Sequence, residues 1–280
     1  MASQQEDTDQ VYARLTDRDL EIIDCLASHR LLTSTMLTTL FFPSRRTASA
    51  RLVMLNAFGI VTRFRAQPSR TYYYSLDWHG QAIAALRRSE RPPTRQAALW
   101  ETRRLIVSGQ RRHLEGVNSF MTLAHMASRD RGAKVIEWAS EAQAATEFTH
   151  LRPDGAATIR FANDRVVSFW LEYDTATQSL ARLAAKVRRY RPGRLLLAVV
   201  PSQTRRQNLL NAARAGVEVS LWVASEESLP ALLSSTTDGQ ASPLLTQSLW
   251  HGCHGEVVSL DALVENARNL TPAGVSAHLQ

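Results

Sequence analysis

Two carboxylates in the second half of the chain have positions and a spacing that could bind a divalent metal ion. Asp154 follows Pro153 at the entry of one predicted strand, and Glu172 comes eighteen positions later at the end of the next strand. Hard cations such as Mg²⁺ need oxygen ligands that converge from adjacent strand ends. A metal ion held there would polarise a phosphate group and activate a water molecule, so these residues could support phosphodiester cleavage.

Asp174 and Lys186 follow these carboxylates, and each has two interpretations. Asp174 could be a third metal ligand, or it could cap the helix that follows Thr175. Lys186 could place a positive charge beside the phosphate group, or it could be an ordinary surface charge. Only Lys134 and Lys186 are lysines among the 33 basic residues, so the position of Lys186 needs an explanation. The strand register decides whether the two carboxylates meet at all.

The elements that must position these residues follow from the hydrophobic pattern. Residues 100–268 predict the order α-β-β-β-α-β-α-β. A hairpin-rich first half that leads into a β-α-β crossover predicts a mixed sheet covered by helices. We therefore expect a mixed-sheet α/β domain over residues 100–268.

That strand order, together with Asp154 and Glu172, resembles the PD-(D/E)xK restriction-endonuclease-like fold. Nucleases of that kind usually carry a lysine two residues after the glutamate, where this chain has Asp174, but some carry it on the following helix. Lys186 would then be that lysine, and the stretch KVRRY, residues 186–190, is similar to their Gln-x-x-x-Tyr motif. The resemblance implies the catalytic residues Asp154, Glu172 and Lys186 and the metal ligands Asp154, Glu172 and Asp174, with Mg²⁺ as cofactor if the domain is active. It equally allows an inactive nuclease-like domain that binds DNA or mediates assembly.

The first part of the chain has the pattern of three helices followed by a β-hairpin. Thr16 and Asp19 form a capping-box variant at the start of the first helix. Ser44 caps the third helix, which ends at Gly59. Residues 60–76 predict two strands around a short turn. This order predicts a winged helix-turn-helix domain over residues 15–90, preceded by a disordered tail over residues 1–14.

Arginines and small polar side chains at the start of the third helix suit the phosphates and base edges of double-stranded DNA. From Ser44 to Arg112, fourteen arginines face three acidic residues, a local excess of eleven positive charges in a chain of net charge +7. Such a block is typical of a polyanion-binding surface, although the fold also serves as a protein–protein module. The predicted DNA-binding residues, which need no cofactor, are Ser44, Arg45, Arg46, Thr47 and Ser49 on the helix and Arg63, Arg65 and Arg70 on the wing.

Other features of the sequence predict the domain boundaries and the cellular location of the protein. The basic stretch RPPTR marks a linker at residues 91–99, and residues 269–280 are a predicted flexible tail. Two cysteines are too few for a disulfide framework. The sequence has neither a run of about 18 apolar residues nor the apolar core of a signal peptide. We therefore expect a cytoplasmic protein without a membrane partner.

The stretch from Leu15 to Arg65 is similar to the opening of the actinobacterial replication-relaxation family. Later blocks match as well, and the similarity covers roughly residues 15–225. These blocks are His113 with Asn118, Trp138 with Glu141, Pro153-Asp154-Gly155, and LEYDTAT followed by KVRRY. The resemblance implies a role in replication or relaxation of plasmids and other mobile elements, with replication or transfer proteins as partners.

The sequence therefore predicts an α+β protein, in which an N-terminal winged helix-turn-helix domain precedes a mixed-sheet α/β restriction-endonuclease-like domain. Its predicted function is DNA binding through the winged helix, in replication or relaxation or in their regulation. Two alternatives stay open. One is a metal-dependent DNA endonuclease or nicking accessory that uses Asp154 and Glu172. The other is a transcriptional regulator whose inactive nuclease-like domain forms a homodimer.

Overall fold

The chain divides into two compact units, Met1–Thr122 and Leu123–Gln280. The structure, a computed structural model, describes residues 8–65, 71–130, 132–161, 164–192, 194–229, 244 and 246–266. Arg70, the segment 1–7 and the predicted tail at 269–280 lie outside the described residues. Among the helices in these ranges, none has the length and apolar character that crossing a membrane requires.

The first unit contains a small antiparallel sheet and a set of helices. The strands are β1 (Leu32–Thr33), β2 (Val61–Arg65) and β3 (Tyr72–Leu76), in the order β1-β3-β2. The helices are α1 (residues 8–12), α2 (Asp17–His29), α3 (Ser34–Phe41), α4 (Arg45–Ala57), α5 (Trp78–Arg87), α6 (Arg95–Val107) and α7 (Arg111–Asp130), which runs through the division between the units.

Local signals in the sequence explain where these helices begin. Thr16 and Asp19 cap α2 reciprocally, as the spacing predicts. The Ser44 hydroxyl accepts a hydrogen bond from the Thr47 amide at 3.2 Å at the start of α4. Gly59 follows α4 with φ +67°, a conformation that favours glycine. The predicted three helices and hairpin are therefore present, while β1 was not predicted because two residues carry no periodic signal.

Two segments expected to lack structure contain helices. Within the predicted tail, α1 is held by a contact of 3.2 Å between Thr8 Oγ1 and His79 Nδ1. Within the predicted linker at 91–99, α6 begins at Arg95. Gln81 Nε2 on α5 donates to the Ala98 carbonyl and to Thr102 Oγ1, both at 3.1 Å. These polar contacts attach α6 to the first unit, and the division between units falls later, within α7.

The second unit is built on a mixed sheet, which among the described residues has seven strands in the order β10-β9-β8-β7-β6-β5-β4. The central strands β6, β7 and β8 are parallel, and the outer pairs are antiparallel. The strands are β4 (Lys134–Ser140), β5 (Gly155–Arg160), β6 (Val166–Tyr173), β7 (Leu195–Val200), β8 (Ser220–Ser225), β9 (Trp250–His251) and β10 (Val257–Val258). The helices are α8 (Glu141–Ala144), α9 (Leu180–Val187), α10 (Gln203–Ala213) and α11 (Leu260–Asn266).

The helices α9 and α10 pack on one face of this sheet. Leu183 and Val187 on α9 and Leu209 on α10 are fully buried in one cluster with alternate residues of the central strands, such as Trp170 and Leu196. The parallel crossovers place helices on the sheet face, and the buried β7 reads as the continuous apolar run LLLAVV. The predicted α+β class and the mixed sheet are confirmed.

Candidate functional sites

The first candidate site is the exposed side of α4 at its N-terminus. Ala48, Leu52 and Leu55 on this helix are buried, so their spacing fixes which side faces solvent. The five residues predicted to contact DNA are all exposed: Ser44, Arg45, Arg46, Thr47 and Ser49. Two guanidinium groups therefore lie at the positive end of the helix, next to small side chains that leave room for a partner.

Arg51 on the same helix has a structural role that the sequence did not reveal. Its guanidinium makes a two-pronged contact with Asp19 of α2, with Nε to Oδ1 at 2.8 Å and Nη2 to Oδ2. Asp19 is fully buried and also accepts hydrogen bonds from Thr16. Burial would raise the pKa of Asp19, but the hydrogen bonds from Arg51 and Thr16 outweigh it and lower the pKa. Arg51 therefore holds α4 against α2.

Several arginines of the basic block have partners within the chain. Arg87 pairs with Asp24 at 2.7 Å, and Arg104 pairs with Glu101 at 3.0 Å. The excess of eleven charges is thus not a uniform DNA footprint. Arg45 and Arg46 are distinguished by their place at an exposed helix start.

The hairpin β2–β3 presents a second group of cations in the first unit. Arg63 and Arg65 are exposed on β2, and their guanidinium groups lie 4.5 and 4.0 Å from the ring centre of Tyr72 on β3. Tyr73 and Tyr74 are buried, as expected for sheet packing. Both guanidinium groups are thus close enough to the Tyr72 ring for cation–π contacts. Arg70, the third predicted wing residue, lies outside the described residues.

The second candidate site, in the second unit, brings together Asp154, Glu172 and Lys186. Gly155 pairs with Leu171 across β5 and β6, so the next position places Asp154 opposite Glu172. Lys186 Nζ on α9 lies 2.6 Å from Glu172 Oε2 and 3.7 Å from Asp154 Oδ1. The Tyr173 amide donates to Asp154 Oδ2 at 2.7 Å and fixes that carboxylate. The strand register therefore joins the two carboxylates, and Lys186 is a half-buried residue of the site, not a plain surface charge.

Burial controls the protonation of this cluster. Burial and, to a smaller extent, the nearby Asp154 carboxylate raise the pKa of Glu172 to about 8. Lys186 and the Tyr190 hydroxyl lower this pKa, but by less. Burial would lower the pKa of Lys186, but the Glu172 and Asp154 carboxylates outweigh it and raise the pKa. Lys186 therefore stays positively charged through the neutral range.

Asp174, the remaining predicted metal ligand, has different partners. Its carboxylate pairs with Arg205 of α10 and accepts the Ala176 amide at 3.0 Å. Ser179 caps α9, so the alternative in which Asp174 caps that helix is wrong. The contacts of Asp174 thus separate it from Asp154 and Glu172 in chemical function.

Both carboxylates of the cluster already have partners within the chain. Within the described part of the chain, no group of three or more histidine, cysteine, aspartate or glutamate side chains is arranged to hold a metal ion. The Lys186 ammonium lies 2.6 Å from the Glu172 carboxyl group and 3.7 Å from that of Asp154. Glu172 also accepts the Tyr190 hydroxyl with its other oxygen. In this arrangement the positive charge beside Asp154 and Glu172 is that of Lys186.

Two features of this site were not predicted from the sequence. Tyr190 is buried and binds Glu172 through its hydroxyl, although it had been matched only as part of a motif. Arg182, Lys186 and Arg189 recur at steps of four and three residues, which places them on one side of α9 and its C-terminal turn. That spacing is visible in the sequence and could have identified a basic stripe.

The pKa of Glu172 makes the stability of the second unit depend on pH. The folded-state value of about 8 exceeds the usual 4.5, so this contribution to the free energy of unfolding is complete at acid pH and is lost as the pH rises through about 8. We expect the free energy of unfolding of the wild type, minus that of Glu172→Gln, to fall between about pH 4.5 and about pH 8 and to stay constant above that. Urea denaturation at several pH values measures this difference, and a constant difference would contradict the assignment.

Comparison with known protein families identifies a match. A family model described as replication-relaxation matches residues 23–194, which is more than half of the chain and includes both candidate sites. No curated protein and no solved structure matches the chain.

Proposed function

The chain belongs to the replication-relaxation family, and on that premise we propose that it is a DNA-binding protein that acts in the replication or relaxation of a plasmid or another mobile element. We further propose that the first unit is a winged helix-turn-helix domain and that α4 enters the major groove. The observation that carries the proposal is the exposed start of α4, where Arg45 and Arg46 stand beside Ser49 while Ala48 and Leu52 are buried.

The chemistry of this helix suits DNA for two reasons. The guanidinium groups can each donate two hydrogen bonds to a guanine edge or to a phosphate. Ser44, Thr47 and Ser49 are short, so the helix backbone can approach the floor of the groove. Arg63 and Arg65, held by Tyr72 on the hairpin, supply further phosphate contacts as a wing would.

A footprint over the DNA element that encodes the protein tests the proposal. We expect protection of a discrete site in an origin or transfer region, with an affinity that falls steeply as salt rises because phosphate contacts release counterions. Protection of a promoter beside the gene instead would support the transcriptional regulator. The absence of any protected site at low salt would contradict DNA binding altogether.

A metal-dependent endonuclease is the second candidate function, and the meeting of Asp154, Glu172 and Lys186 favours it. The contacts of Glu172 argue against this function, because Lys186 and Tyr190 already donate hydrogen bonds to its carboxyl group. We expect purified protein to leave supercoiled plasmid intact in the presence of Mg²⁺ or Mn²⁺. Nicking by the wild type that disappears in Glu172→Gln would make the protein a nuclease and overturn the non-catalytic assignment.

A further inference from the structure

A cleft of about 650 Å³ opens beside the Lys186 cluster in the second unit. Its lining includes five basic side chains, and none of the described residues that line it is acidic. The basic residues are His150, Arg152, Arg182, Lys186 and Arg189. All except the half-buried Lys186 are exposed.

The sequence folds so that two separate segments supply these charges. Arg182, Lys186 and Arg189 come from one side of α9 and its C-terminal turn, opposite the buried Leu183 and Val187. His150 and Arg152 come from the segment that precedes β5. The Arg189 guanidinium donates to the His150 carbonyl and links the two walls. The basic side chains therefore line one cleft and are not dispersed over the surface.

Two acids near the cleft have partners within the chain. Asp154 and Glu172 contact the Lys186 ammonium, on which the Glu141 carboxylate also acts. The basic side chains on the walls of the cleft are exposed. Phe148 also lines the cleft, and it packs on Trp170 and Tyr190 with ring centres 5.2 and 5.6 Å away. Phe148 thus ties the cleft to the core, and the cations that line the cleft suit the phosphodiester backbone of a nucleic acid.

We propose that this cleft is a second DNA-binding site, which grips the phosphodiester backbone without reading sequence and without cutting it. Arg152 and Arg182 contact phosphates, and Lys186 replaces a metal ion as the fixed cation at the floor. The inference rests on the proposed function for the choice of DNA as the polyanion. It adds a binding site in the second unit that is independent of α4.

Four forms of the full chain test this site by fluorescence anisotropy with labelled oligonucleotides of about 20 nucleotides. They are the wild type, Arg152→Ala with Arg182→Ala, Arg45→Ala with Arg46→Ala, and the combination of all four substitutions. Arg160→Ala with Arg191→Ala is the matched control, because it removes two exposed charges of the second unit that do not line the cleft. Single-stranded and duplex oligonucleotides are compared at several salt concentrations.

We expect the Arg152 and Arg182 variant to lose about tenfold in affinity and to lower the salt slope by about 2 relative to the matched control. The same loss should occur on top of the Arg45 and Arg46 substitutions, which separates this site from α4. A loss on either single-stranded or duplex DNA supports the cleft and identifies the form that it takes. Affinity equal to that of the matched control on both forms would overturn the proposal. An effect of the cleft variant without an effect of the α4 variant would instead sink the proposed winged-helix contact alone.

Discussion

Replacing Arg45 and Arg46 together by alanine is expected to weaken DNA binding by about 30-fold, which corresponds to about 2 kcal/mol. Both side chains are exposed at the start of α4, so their loss should remove the proposed contacts to DNA and leave the buried side of the helix unchanged. The plot of log affinity against log salt should also flatten by about 2 for two lost phosphate contacts. Electrophoretic mobility shift at several salt concentrations measures both quantities.

The matched control for this prediction is Arg91→Ala with Arg103→Ala. These arginines are also exposed in the first unit, but they lie outside α4 and the β2–β3 hairpin. If general positive charge were sufficient for binding, the two double variants would weaken binding equally. Equal losses would therefore remove α4 from the interface.

The second large effect is expected from Arg51→Ala, which should lower the free energy of unfolding by about 3 kcal/mol. Asp19 has no exposed side-chain surface, and Arg51 is 21% exposed. Without Arg51 the buried Asp19 carboxylate loses its charged partner, and α4 loses its attachment to α2. Urea denaturation followed by circular dichroism measures the change, and DNA affinity should fall in parallel because the position of α4 is no longer fixed.

Arg87→Ala provides the control for this stability prediction. Arg87 also makes a two-pronged contact with a carboxylate, but the side chains of Arg87 and Asp24 are 35% and 42% exposed. Solvent screens such a pair, so its removal should cost about 0–1 kcal/mol. A loss as large as that of Arg51→Ala would show that burial does not distinguish the two pairs. An unchanged stability in Arg51→Ala would contradict the structural role of Arg51.

Local signals in the sequence predicted much of what the structure contains. The caps at Thr16 and Ser44, the glycine at position 59 and the spacing of Ala48, Leu52 and Leu55 all act over a few residues, and each agrees with the structure. The exposure of Arg45 and Arg46 follows from that spacing, because a helix that buries one side presents the other. The exposed surface of α4 could therefore be predicted without knowing the rest of the fold.

Partners that lie far apart in the sequence could not be predicted in this way. Arg51 pairs with Asp19 because packing brings α4 to α2. Arg205 pairs with Asp174 because packing brings α10 to the end of β6. Asp174 consequently appeared as a metal ligand from its position two residues after Glu172, whereas the structure gives its carboxylate to an arginine. The resemblance placed Lys186 near Asp154 and Glu172, and the structure has it there because α9 packs beside the end of β6. Such a resemblance carries tertiary information that one sequence does not contain.

The position of α4 relative to DNA can be measured with an iron chelate that cleaves DNA near its point of attachment. The chelate would be attached at Ser49→Cys in a background of Cys25→Ala and Cys253→Ser, and at Gln96→Cys on α6 as the control. If the exposed side of α4 enters the major groove as proposed, position 49 should give cuts inside the protected site. Absence of cuts from position 49 together with cuts from position 96 would contradict this placement of α4.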